Sequence, residues 1–333
     1  TNRHPIQISS IAVMVRSSCC VYIGDKLGAY GFGDEHPFGP QRLQVFAREF
    51  YHRNLDLDVD IVTPVSTDRS TLELFHTTEY IDRVIRLSKT GEGYLDKGDT
   101  PAFTGMFEAA SFVAGSVIDA SERLMAGEYE KAFVPIAGLH HARRDNAAGF
   151  CVVNDCGIAI ENLLQRHGLT RVAYIDIDAH HADGVFYSFE DEPRLIFADI
   201  HEDGRYLYPG TGSINETGTG HAAGTKLNIP VPPRADDNLF FRLWPRVETF
   251  IERYQPEFIL LQCGADSIAD DPLTHLAYTE RAHAHAARRL SELAAVHCEG
   301  RLLAMGGGGY NHSNIAKTWT AVVEAMAGSP QDQ

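Results

Sequence analysis

The stretch Val172-Ala173-Tyr174-Ile175-Asp176-Ile177-Asp178-Ala179-His180-His181 decides how this chain reads. Its first four residues form an unbroken apolar run, the pattern of a strand buried on both faces in a parallel sheet. Side chains alternate along a strand, so Asp176, Asp178 and His180 are expected on one face at its C-terminal end. Open α/β sheets place their sites at that end. Two carboxylates and an imidazole are costly to bury together unless a cation neutralises them. A mixed oxygen and nitrogen donor set suits zinc, iron(II) or a similar divalent ion. Alone, the same pattern also describes a strand leaving the core with solvated polar residues, so the surrounding chain must decide.

Three further stretches carry complementary chemistry. His140-His141 follow the apolar run Phe133–Ile136 and the turn Ala137-Gly138-Leu139; vicinal histidines at a strand end suit a general base with an electrostatic partner. Gln262-Cys263-Gly264-Ala265-Asp266 ends the apolar run Phe258–Leu261, and Asp266 is the natural third ligand beside Asp178 and His180. Three protein ligands with one open position is the catalytic pattern of zinc sites. Gly306-Gly307-Gly308-Gly309-Tyr310 lets the backbone approach a ligand closely and offers a phenol to a developing oxyanion. Each has a plainer reading alone: a solvated loop pair, a helix cap, a flexible turn.

The chain has 333 residues and a net charge of −16. The charge argues against nucleic-acid binding and favours cationic ligands by steering. No stretch reaches the roughly 20 apolar residues that span a bilayer, and the N-terminus lacks the basic-then-apolar order of a signal peptide. The six cysteines form no C-x-x-C pair and several lie in strand-like runs, so reduced buried thiols and a cytoplasmic setting are expected. With no repeat or linker, a single domain over 1–333 is expected, its core about 11–327. Eight strand-like runs, near Cys19–Ile23, Val59–Val62, Lys131–Ile136, Val172–Asp178, Leu195–Ile200, Thr225–Ile229, Phe258–Gln262 and Arg301–Met305, alternate with amphipathic segments. These segments lie near Pro40–Arg53, Met106–Met125, Asp155–His167, Asp237–Tyr254, Glu280–His297 and Ser313–Ala327, with Asp155 and Ser313 as expected N-caps. Such alternation predicts an α/β fold with a mostly parallel sheet flanked by helices. Loops at 24–39, 91–104 and 202–224 are long enough to suggest function.

The matching text Gly138-Leu139-His140-His141-Ala142, Gly149-Phe150-Cys151, Asn154-Asp155, Tyr174 through Val185, Pro209-Gly210-Thr211-Gly212, Gly264-Ala265-Asp266 and Gly306 through Tyr310 resembles the zinc-dependent histone deacetylase family, including bacterial acetoin-utilisation deacetylases. The resemblance runs from about Gly31 to Trp319. It implies an arginase/deacetylase fold with a central eight-stranded sheet. It also implies zinc, with iron(II) as the other candidate, on Asp178, His180 and Asp266. His141 would be the base, His140 its electrostatic partner, and Asp176 and Asp183 the carboxylates holding the two rings, with Tyr310 polarising the acyl carbonyl. Gly149, Phe150, Tyr208, Leu273 and Gly308 would line a substrate tunnel, and Asp99 would bind a peptide backbone at its rim. A structural potassium ion would take Asp176, Asp178, His180, Asp199 and Ile200.

Three positions depart from the family pattern: Ala182 in place of Gly, Asp199 in place of Ser beside the potassium, and Tyr208 in place of Phe. The implied reaction is removal of acetyl or another acyl group from an acyl-lysine peptide. Acetylated polyamines and other small acyl-amines fit the same slot, and a non-catalytic acyl-lysine reader is the remote alternative. A binuclear ureohydrolase would need Asp at 182. The rim loops have no periodicity that chooses a substrate, and the oligomeric state is not legible.

Overall fold

The computed structural model describes residues 18–328; the expected core positions 11–17 lie outside them. Eight strands form one sheet: β1 Cys19–Tyr22, β2 Asp60–Val62, β3 Lys131–Val134, β4 Val172–Asp176, β5 Leu195–Glu202, β6 Lys226–Val231, β7 Phe258–Gln262 and β8 Leu302–Met305. Their order is β2-β1-β3-β8-β7-β4-β5-β6, and every pairing is parallel. Strands β3, β4, β7 and β8 are buried almost throughout, which explains their continuous apolar runs.

Among the described residues ten α-helices flank the sheet: α1 Asp25–Gly28, α2 Gln41–His52, α3 Arg69–Leu72, α4 Thr78–Thr90, α5 Met106–Met125, α6 Asp155–Glu161, α7 Asp183–Ser188, α8 Asp237–Tyr254, α9 Glu280–His297 and α10 His312–Ala327. Helix α8 shows why they sit where they do. Phe240, Trp244, Val247 and Ile251 recur at helical spacing and are all buried, while Asp236 caps its start through Leu239 N. Helix α4 escaped the sequence reading. Its buried face is only Tyr80, Ile81, Val84 and Ser88, diluted by charged neighbours, although Thr77 caps Tyr80 N.

Two expected caps are corrected. Asn154, not Asp155, caps α6 by accepting from Gly157 N, and Asn311, not Ser313, caps α10. In both cases the capping residue must lie outside the helix with non-helical backbone, and Asp155 and Ser313 are already inside it. The four central strands β3, β8, β7 and β4 end level: Val134 pairs Met305, Met305 pairs Gln262, and Gln262 pairs Asp176. The loops that leave these ends therefore start side by side.

Candidate active site

Each of those four loops brings one of the expected stretches to a single narrow cavity. It is lined by His140, His141, Gly149, Asp178, His180, Asp266, Gly308 and Tyr310, among others, and its ≈ 20 Å³ is about the room one water needs. Strand β4 ends at Asp176, so Asp178 and His180 lie just past the strand rather than on it. Their convergence comes from the turn: Asp178 N donates to Asp176 Oδ1 at 3.0 Å and His180 N to Asp178 Oδ1 at 2.9 Å. A 3-10 turn at Ala265–Ser267 presents Asp266 from β7, and its Oδ1 accepts from Ala179 N.

His180 Nδ1 lies 3.0 Å from Asp178 Oδ1 and 3.1 Å from Asp266 Oδ2, and one donor atom from each of the three falls within 4.8 Å of the others. Burial opposes charge on His180, but the hydrogen bonds to these two carboxylates outweigh it and hold its pKa well above the ordinary value. Burial and the neighbouring Asp178 push Asp266 up to about 7. Positive charge is thus favoured between two buried acids, which is the environment a divalent ion fits. The glycines make the space: a Cβ on Gly264 would lie 2.0 Å from Asp178 Oδ2, and one on Gly308 2.0 Å from Asp266 Oδ2.

The histidine pair is oriented from behind. His140 Nδ1 meets Asp176 Oδ2 at 2.8 Å and His141 Nδ1 meets Asp183 Oδ1 at 2.7 Å, while their Nε2 atoms face each other at 3.1 Å. Burial, with His140 alongside, lowers the His141 pKa to about 4, so it is neutral near pH 7. The Tyr310 ring packs edge-on to Phe150 at 5.8 Å, and its hydroxyl has no hydrogen-bond partner among the described residues. Tyr208 sits 5.2 Å from the His141 ring and is 46% exposed; Leu273 is 37% exposed and donates from its N to Asp271. Asp99 is exposed and does not line the cavity, but its neighbour Thr100 accepts from Phe150 N.

Several residues that build the site were not among its expected members. Gln262 Nε2 donates to Asp178 Oδ2 and Gly138 O, and its Oε1 accepts from Gly264 N, tying three loops together. Asp155 accepts from Gly138 N and Leu139 N and so folds the turn before His140. Asp271 accepts from Tyr310 N and Leu273 N. Buried Arg42 donates from Nε to Gly309 O and from Nη2 to Gly307 O, with Nη1 unpaired. Their partners lie as far as 267 residues away along the chain, so local spacing held no signal for them.

At the expected potassium position, Asp176 and Asp199 are register neighbours on β4 and β5, both fully buried. Asp199 Oδ1 meets His201 Nδ1 at 2.7 Å and its Oδ2 accepts from Ala182 N. Ala182 is accommodated without strain at φ −75. All six cysteines are buried, as expected. Among the described residues no helix is long and apolar enough to cross a membrane.

The comparisons with known proteins agree with this geometry. The histone deacetylase domain model matches residues 36–326. The acetoin utilization protein AcuC of Bacillus subtilis is 37% identical over 324 residues, covering 94% of this chain and 83% of that protein. Histone deacetylase clr6 of Schizosaccharomyces pombe is 33% identical, covering 94% and 77%. The crystal structure of the HDA15 HD domain superposes with a TM-score of 0.86 at 25% identity, covering 94% of this chain and 89% of that one. With the same fold, the same domain match and level strand ends that gather these loops, the chain belongs to the histone deacetylase family and is a deacetylase of the arginase/deacetylase fold.

Proposed function

We propose that this single-domain protein removes acetyl groups from acetyl-lysine in proteins or peptides, using zinc or iron(II) held by Asp178, His180 and Asp266. The observation that carries the reading is the placement of that triplet, the His140–His141 pair and the unpaired Tyr310 hydroxyl on one cavity. A divalent ion there would polarise the amide carbonyl and lower the pKa of its water from about 15.7 toward about 7. His141, neutral at pH 7 and fixed by Asp183, accepts the proton at Nε2 from the attacking water and returns it to the departing amine. His140, held by Asp176, spreads the resulting positive charge. Tyr310 donates its hydroxyl to the carbonyl oxygen as that oxygen gains charge.

Gly149, Phe150, Tyr208, Leu273 and Gly308 form the slot for the lysine methylenes, and Asp99 accepts from the substrate backbone. Asp176, Asp178, His180, Asp199 and Ile200 would hold a potassium ion, whose chemistry is charge neutralisation between two buried acids. Six buried free cysteines support a reducing, cytoplasmic compartment. Relatives named histone deacetylases support an acetyl-lysine substrate; the −16 charge fits an acetylated polyamine equally well. The test is kcat/KM on an acetyl-lysine peptide and on acetylputrescine, with and without a chelator. Preference for the peptide, abolished by chelation and restored by zinc, is expected. Hydrolysis that survives chelation would sink the reading, and preference for acetylputrescine would move it to the polyamine.

A further inference from the structure

The rim is more ordered than its exposure suggests. Asp96 Oδ1 accepts from Gly98 N, Asp99 N and Thr100 N at 2.9–3.0 Å, and its Oδ2 accepts from Thr100 Oγ1. Thr100 Oγ1 in turn accepts from Phe150 N at 3.2 Å. One carboxylate therefore folds the turn that carries Asp99 and couples it to the tunnel wall. Phe150 holds φ 68, a left-handed backbone that a bulky residue adopts only when its surroundings impose it.

His36, from the loop before α2, closes this arrangement from the other side. Phe38 N donates to His36 Nδ1 at 3.0 Å, so the ring proton sits on Nε2, which lies 3.3 Å from Asp99 O. The same ring meets Phe150 edge-on at 4.6 Å and Phe32 at 4.7 Å. A single imidazole thus touches the Asp99 main chain, the tunnel wall and the 24–39 loop, while reaching neither the metal triplet nor the histidine pair.

We infer that His36 is a positioning residue for peptide substrates: it fixes the height and direction of Asp99 above the slot, and with it the register in which a substrate main chain docks. The inference rests on the acetyl-lysine reading above. A small acyl-amine has no peptide backbone for Asp99 to hold, so it should be indifferent to His36. Substitution at 36 therefore separates substrates, whereas general damage to the fold would not.

The experiment compares wild type with His36→Ala, His36→Asn and His36→Gln on an acetyl-lysine tripeptide and on a small acetylated amine, with amide hydrogen exchange over residues 95–103. Gln carries an N–H donor at the reach of Nε2; the shorter Asn amide extends only to the reach of Nδ1 and leaves Asp99 O without its donor. For Ala and Asn, the peptide KM should rise about fivefold, the scale of one hydrogen bond. Peptide kcat and both constants for the small amine should stay within about twofold of wild type, while exchange in 95–103 quickens. Gln should restore both readouts. Unchanged peptide KM in His36→Ala, equal losses on both substrates, or a Gln variant no better than Ala would overturn the inference. Wild type inactive on both substrates would instead overturn the deacetylase reading beneath it. Turnover of the small amine alone would overturn the peptide reading and this inference with it.

Discussion

The floor of the cavity and its rim are built on opposite principles. At the floor, Asp176, Asp178 and Asp266 are at most 1% exposed, and each is held by groups from several strand ends. Their positions are set by a sheet whose central strands end level, and no side chain there can move without unpairing a buried partner. At the rim, Tyr208, Leu273 and Asp99 are open to solvent, and their order depends on a few hydrogen bonds within and between loops. On the proposed function, the tightly bonded floor serves the chemistry and the exposed loops of the rim serve the choice of substrate.

That contrast breaks most sharply at Asp266. Asp266→Asn should weaken metal binding more than about 100-fold, since loss even of residues supporting a ligand costs about 10–100-fold. Metal content of the purified variant, measured with its activity, checks this; full metal occupancy would show that the floor does not centre on the triplet. Tyr310→Phe sharpens the same region without touching a ligand. A fall of about 10²–10³ in kcat with metal content unchanged is expected, because only the donor to the developing oxyanion is lost. Wild-type turnover would remove Tyr310 from the chemistry.

Away from both, buried His76 sits against the cap of α6, and its behaviour is read through pH. Asn154 N donates to its Nε2 at 2.9 Å, and its Nδ1 faces Arg144 O, so the neutral ring is the one that fits. Burial lowers its pKa from 6.5 to about 3. Because the folded pKa lies below the unfolded one, the stability it supplies is complete above about pH 6.5 and is lost as pH falls toward 3. Melting curves of wild type and His76→Gln should therefore converge by a few kcal/mol between pH 7 and pH 4. A constant gap across that range would show that His76 charges freely. The smallest effect belongs to the rim, where the His36 substitutions are expected to move KM about fivefold and leave the floor untouched.

How much of this could be read in advance follows the same division. Asp178, His180, Asp266 and Tyr310 each follow an apolar strand within a few residues, so local pattern marked them as candidates and the resemblance gave them their expected roles. The chain's own residues did not show that Asp155 folds the turn before His140, that Gln262 joins three loops, or that Arg42 anchors the glycine run from beneath. Gln262 and Arg42 reach partners 84 to 267 residues away, which only the assembled sheet brings together, and even Asp155 stands 16 and 17 residues from the groups it binds, beyond any strand or helix period. The caps at Asn154 and Asn311 were missed for a smaller reason: two cap-capable residues stand close together, and backbone conformation decides between them.

Sequence by itself determined the kind of molecule: buried parallel strands, helices between them, and acid, imidazole and phenol groups at strand ends. These follow from hydrophobic burial and side-chain periodicity, which act over a few residues. Tertiary structure alone decided which groups touch. It set the distance between Asp178 and Asp266, the facing Nε2 atoms of the two histidines, and the span from His36 to Asp99. Hydrogen bonds and Coulomb interactions act over a few ångströms, and only the folded sheet brings distant residues that close.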